Sequence, residues 1–109
     1  MEVEFDDSAL QKFAENERKL IRKYGEKCAK KLMRRLNDLR AVDCVPELSR
    51  LPGRWHELSA DRAGQWASDL EHPLRLIVRP TPPIPRRGDG GIVWREVVRV
   101  TVVEIDDYH

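Results

Sequence analysis

Three separated segments of the sequence carry side chains that could act on a phosphodiester: His56 with Arg62, Arg75, and the closing Asp107, Tyr108 and His109. RNA brings its own nucleophile, the 2′-hydroxyl. Cutting it without a metal takes a base for that proton, an acid for the leaving 5′-oxygen, and positive charge beside the phosphorane. An imidazole titrates at about pH 6.5 when unperturbed and fills either proton-transfer role. A guanidinium supplies the charge. The same residues also have plainer uses: His56 as a satisfied sheet histidine, Arg75 as a surface ion-pair partner, and 106–109 as a frayed polar tail. On residue types alone, the plainer uses are the stronger.

The elements that must position these groups can be read from composition and periodicity. With 109 residues, the chain has room for one domain, 1–109, and for a core that needs no staples. Cys28 and Cys44 fit no metal-ligand spacing, so both are expected to be reduced packing residues, and no metal or other cofactor is expected. The acidic start, with Glu2, Glu4, Asp6 and Asp7, is not a signal peptide, and no apolar run approaches a membrane span. A cytoplasmic protein without a membrane partner is the expectation. The net charge of +1 hides an asymmetry: between Lys19 and Arg35 eight basic residues meet one acid, a local charge of +7. Lys23, Lys27, Lys30, Lys31 and Arg34, together with Arg62, are candidate contacts for a polyanion such as RNA or the ribosome. A solvated helix face is the bland alternative for the run.

Val3 to Phe5 alternates with acids and suits an opening edge strand. Ser8 with Gln11 three residues on has the form of a capping box, and the apolar spacing from Leu10 to Tyr24 predicts one helix over about 9–24, stopped by Gly25. Cys28, Ala29, Leu32, Met33, Leu36 and Leu39 form the stripe of a second helix, its basic residues left mainly on exposed faces. A short helical turn is expected after Pro46. Trp55–Leu58 and Gln65–Ser68 are predicted to pair as a hairpin, and 74–79 reads as a strand with Arg75, Ile77 and Arg79 on one face, ended by Pro80. The segment 80–94 reads as a long loop, its Pro run extended and Arg86 to Gly91 with little regular structure. The β-branched run Val97 to Ile105, apolar on both faces, suits a strand inside the sheet that can hold terminal groups in fixed geometry. Two helices followed by strands predict an α+β fold, a helical hairpin packed on a largely antiparallel twisted sheet. That topology can bring His56, Arg75 and the terminus together.

The run Leu51-Pro52-Gly53-Arg54-Trp55-His56-Glu57-Leu58, the turn Asp61-Arg62-Ala63-Gly64-Gln65-Trp66, the strand Leu74-Arg75-Leu76-Ile77-Val78 and the closing Glu104-Ile105-Asp106-Asp107-Tyr108-His109 resemble the HigB branch of the RelE/ParE toxin superfamily. The resemblance extends to the two-helix opening. It implies a toxin of a type II toxin-antitoxin pair, an endoribonuclease that cuts messenger RNA in the ribosomal A site and is neutralised by a HigA-type helix-turn-helix antitoxin. On matching positions it implies an active site of His56, Arg75, Asp107, Tyr108 and His109. Ser59 stands where some members have a lysine, and the loop 80–94 is longer than in the smallest members. In this reading the two histidines exchange protons, Arg75 stabilises phosphate charge, Tyr108 stacks on or hydrogen-bonds the substrate and Asp107 orients an imidazole. Which histidine is the base stays open, although the terminal carboxylate beside His109 favours its protonated form. Two alternatives are a non-catalytic ParE-like toxin that binds gyrase and a basic RNA-binding module without catalysis.

Overall fold

The computed structural model describes residues 1–107. The chain runs β1 (Glu2–Phe5), α1 (Ser8–Ala14), α2 (Glu17–Tyr24), α3 (Glu26–Ala41), β2 (His56–Glu57), β3 (Trp66–Asp69), β4 (Leu74–Pro80) and β5 (Arg99–Asp107), with short 3-10 segments at Val45–Arg50, Ala60–Arg62 and Trp94–Glu96. The strands form one sheet in the order β1-β5-β4-β3-β2, antiparallel throughout except where β1 lies parallel to β5. This is the α+β architecture the pattern predicts. Leu20 of α2 and Leu32, Leu36 and Leu39 of α3 meet Leu76, Val78, Val100 and Val102, which project from one face of the sheet. The helices therefore cover one face and leave the other to the strands' remaining side chains. No helix among the described residues is long and apolar enough to cross a membrane.

The first helix departs from the sequence reading in two ways. Its cap is Asp7, whose Oδ1 accepts from the Leu10 amide at 2.7 Å, and Ser8 is already helical. The helix is also not continuous to Tyr24. Asn16 accepts from the Lys19 amide at 3.1 Å and starts α2 afresh, because a short polar side chain offers the backbone a bond that competes with continuing the helix. Gly25, at φ +90°, then ends α2 and begins α3 in one residue, a conformation that a side chain would strain.

Arg35 departs from the expectation that the basic residues stay on exposed faces. It is buried, 6% exposed, and its Nε donates to the Asp69 carbonyl at 3.3 Å. Desolvation lowers its pKa from the ordinary arginine value, while Asp38 and Asp69 oppose the shift.

The last strand starts at Arg99, three residues beyond Glu96, after the 3-10 turn Trp94–Glu96. Its apolar run has a local cause besides burial: the β4–β5 register steps from Ile77↔Glu104 to Val78↔Val102, leaving Val103 as the extra residue of a bulge. The segment 85–93 is more regular than its composition predicts. Arg86 and Ile92 form an antiparallel bridge, the Arg87 amide donates to the Gly91 carbonyl at 2.7 Å, and Asp89 accepts from the Gly91 amide at 2.9 Å. Glycines free to take positive φ, with an aspartate bonding its own turn, make a hairpin out of what looks like a spacer.

Candidate functional site

Residues opposite one another in a ladder share a face. His56 pairs with Ala67, Ala67 with Ile77, and Ile77 with Glu104; one row further on, Asp69 pairs with Arg75 and Arg75 with Asp106. Both rows project from the face that the helices leave uncovered. The structure thus brings His56 and Arg75 to one surface, their Cα atoms about 12 Å apart by strand spacing and rise. Asp107 pairs with Leu74 and so projects from the opposite face of the pleat, while Asp106 stands where the sequence reading places Asp107. Tyr108 and His109 lie outside the described residues.

The mount of His56 begins with Gly53. At φ +111° it takes a backbone conformation open to glycine, and a Cβ there would collide with Arg35 Nε and Ser68 Oγ. Its carbonyl accepts from the Ser68 hydroxyl at 3.0 Å and from the Asp69 amide at 2.7 Å, tying the segment to β3. Arg54 follows in the left-handed region at φ +51°, and Trp55 is buried at 4% exposure. With the backbone fixed on both sides, the His56 Nδ1–H donates to the Arg54 carbonyl at 2.6 Å. A carbonyl only accepts, so in the neutral ring Nε2 carries the lone pair. Half-buried, His56 is set in the tautomer of a general base.

Arg75 is held by Asp106: its Nε and Nη2 donate to Asp106 Oδ2 at 3.3 and 3.1 Å, with 15% of its side chain exposed. Arg62 reaches from the β2–β3 connection across to β5. It donates to Gln65 Oε1 at 2.9 Å and to Glu104 Oε1, and lies 3.9 Å from Asp106. The Glu104 hydrogen bond, the largest cause, raises its pKa from the ordinary value. Leu58, Ser59, Asp61, Arg62 and Arg75 line a cleft of about 350 Å³. Two guanidiniums are thus fixed in place by acids on one strand. Glu104 and Asp106 are the site residues that sequence reasoning missed; the alternation Glu104-Ile105-Asp106 was the signal, and the bulge hid which face it served.

The basic helix residues sit elsewhere. Lys27 and Lys31 converge on Glu71, in the β3–β4 turn, at 3.9 and 3.1 Å, and Lys30 pairs with Glu26 at 3.0 Å. Lys23 lies 5.2 and 5.3 Å from the ring centres of Phe13 and Tyr24, and Arg34 is exposed. They form the outer surface of α2 and α3, apart from His56. Among the described residues no group of three His, Cys, Asp or Glu could hold a metal ion.

No family model matches the sequence, and no curated relative does either. Solved structures do match the fold. The chain is similar over its whole length to the YoeB/ParE toxin from Agrobacterium tumefaciens, with TM-score 0.59 at 13% identity and all of that chain covered. It is also similar to a chain of the YoeB-YefM complex from Staphylococcus aureus, with TM-score 0.58 at 14% identity, and to the YoeB dimer from the same organism, with TM-score 0.56 at 15% identity; 97% of each of those chains is covered. The architecture is therefore that of the YoeB/ParE-type toxins.

Proposed function

We propose that the protein is a toxin of the HigB branch of the RelE/ParE superfamily, an endoribonuclease that cuts messenger RNA in the ribosomal A site. The carrying observation is His56, fixed with Nε2 as acceptor on the same uncovered face as the carboxylate-held Arg75. His56 Nε2 takes the 2′-hydroxyl proton as that oxygen attacks phosphorus. Arg75, with Arg62 beside it, stabilises the charge on the non-bridging oxygens. The bond to the 5′-oxygen breaks, His109 supplies the proton that oxygen needs, and the products are a 2′,3′-cyclic phosphate and a 5′-hydroxyl. Tyr108 stacks on or hydrogen-bonds the substrate.

The likeness to toxins solved in toxin-antitoxin complexes supports a partner of that kind. In this reading the partner is a HigA-type helix-turn-helix antitoxin, and the compartment is the cytoplasm. The test adds the protein to ribosomes stalled on a defined message and maps new 5′ ends. Cuts within the A-site codon, abolished in His56→Ala, are expected. An unchanged message, or equal cutting by His56→Ala, would overturn the reading.

A further inference from the structure

A second groove lies around the outer edge of the sheet from His56. β2 is the outermost strand, and its two residues project to opposite faces, His56 to the uncovered face and Glu57 to the helix side. On that helix side, Glu57, Gly64, Arg86, Arg87, Ile92 and Trp94 line a groove of about 470 Å³. That volume lies in the range of small-ligand sites. Its cationic wall is built. Arg86 Nη1 donates to the Gly90 carbonyl at 2.9 Å and Arg87 Nε to Asp89 at 3.3 Å. Each guanidinium is thus aimed by its own turn while keeping further donors on an exposed side chain. Arg87 also packs against Gly91, where a Cβ would collide with its Nη2. Trp94 is partly buried and braced edge-on by Trp66 at 5.7 Å between ring centres.

We infer that this groove binds a nucleotide flanking the cut, with Arg86 and Arg87 on its phosphate, Trp94 against its base and Glu57 on a base amino group. The inference rests on the proposed ribonuclease reading. Guanidiniums match phosphate oxygens in bidentate geometry, an indole is a stacking platform for any base, and a carboxylate accepts from an exocyclic amino group such as that of cytosine. Asp89, paired with Arg87, and Glu57 offset the two arginines, so phosphate binding here rests on the remaining guanidinium donors and not on a net positive field. A strand cut between His56 and Arg75 reaches it by passing over the β2 edge, with no sheet to cross.

The experiment titrates a labelled, uncleavable 2′-O-methyl RNA oligonucleotide, with melting temperature measured in parallel. Arg86→Gln/Arg87→Gln is expected to bind about tenfold more weakly, and the log–log salt slope is expected to fall by about 0.7, the value for one phosphate on a single strand. Glu57→Gln, on an exposed side chain, is expected to tighten binding and erase any preference for cytosine over uracil in the flanking position. Wild-type affinity and salt slope in the arginine variant, with base preference unchanged in Glu57→Gln, would overturn the inference. So would loss of antitoxin binding with RNA binding intact, which would make the groove a protein-docking surface. Ribosome-dependent cleavage by the wild type is scored separately. Its absence would remove the ribonuclease reading, while the titration still decides whether the groove holds RNA.

Discussion

At the scale of single residues, the arrangement turns on which carboxylate holds which cation. Asp106 accepts from two nitrogens of Arg75 and also lies near Arg62, so it fixes guanidiniums rather than moving a proton. Asp106→Ala is therefore expected to leave the fold intact and lower the cleavage rate by about tenfold, since a misplaced charge costs less than a lost acid or base. Single-turnover cleavage of ribosome-bound message checks this; a rate within error of wild type would remove Asp106 from the site. Gly53 makes a second residue-scale prediction. Its positive φ and the Arg35 and Ser68 contacts leave no room for a methyl group. Gly53→Ala is expected to lose about 1–3 kcal/mol of stability, measured by denaturant unfolding, and to slow cleavage by disturbing the Arg54–His56 mount. The tautomer of His56 could not have been read from the sequence, because it depends on a carbonyl turned toward the ring by the left-handed Arg54.

At the scale of elements, what was legible is what repeats. The stripe from Cys28 to Leu39, the hairpin of β2 and β3, and the alternation of β4 all follow from periods of helix and strand, and each stands where the pattern puts it. What was not legible depends on a choice between near-equal local bonds or on a distant partner. Asn16 interrupts the first helix through one side-chain bond. The bulge at Val103 exists only in the pairing with β4, and Arg62 meets Glu104 across 42 residues of sequence. The basic stripe of α2 and α3 was legible as charge but not as net field, because Glu71 and Glu26 sit against Lys27, Lys31 and Lys30. These pairs are exposed and weak, so they lower the field without abolishing it. Neutralising Lys27, Lys30, Lys31 and Arg34 together is expected to weaken ribosome binding and flatten its salt dependence, with unchanged helix content by circular dichroism. Wild-type ribosome affinity and slope in that variant would make the stripe a solvated surface.

At the scale of the whole molecule, the helix-packed core and the proposed site lie on opposite faces of one sheet. The helices and the apolar side chains of β4 and β5 make the core on one side. His56, Arg62, Arg75, Glu104 and Asp106 occupy the other, beside the buried Ala67 and Ile77 of the same row, and none of the five belongs to the helix-side core. The end of the chain tests this separation most sharply. β5 is paired to β4 through Asp107, and its buried residues, Val100, Thr101 and Val102, lie well before that point. Removing Tyr108 and His109 takes away none of these contacts. The truncated protein is expected to keep its melting temperature within a few degrees and to bind the proposed antitoxin as the full chain does, as changes outside a core usually allow. Its cleavage rate should nevertheless fall by about 10²–10⁴-fold if His109 protonates the leaving oxygen, and His109→Ala alone should reproduce most of that loss. The mechanism also predicts a chemical signature: a message whose 5′-oxygen is replaced by sulfur, a leaving group that needs no proton, should be cut by the truncated protein at nearly the full-length rate. If the truncated protein cuts the ordinary message as fast as wild type, the terminus has no part in proton transfer, and the acid must be sought elsewhere on the face that carries His56.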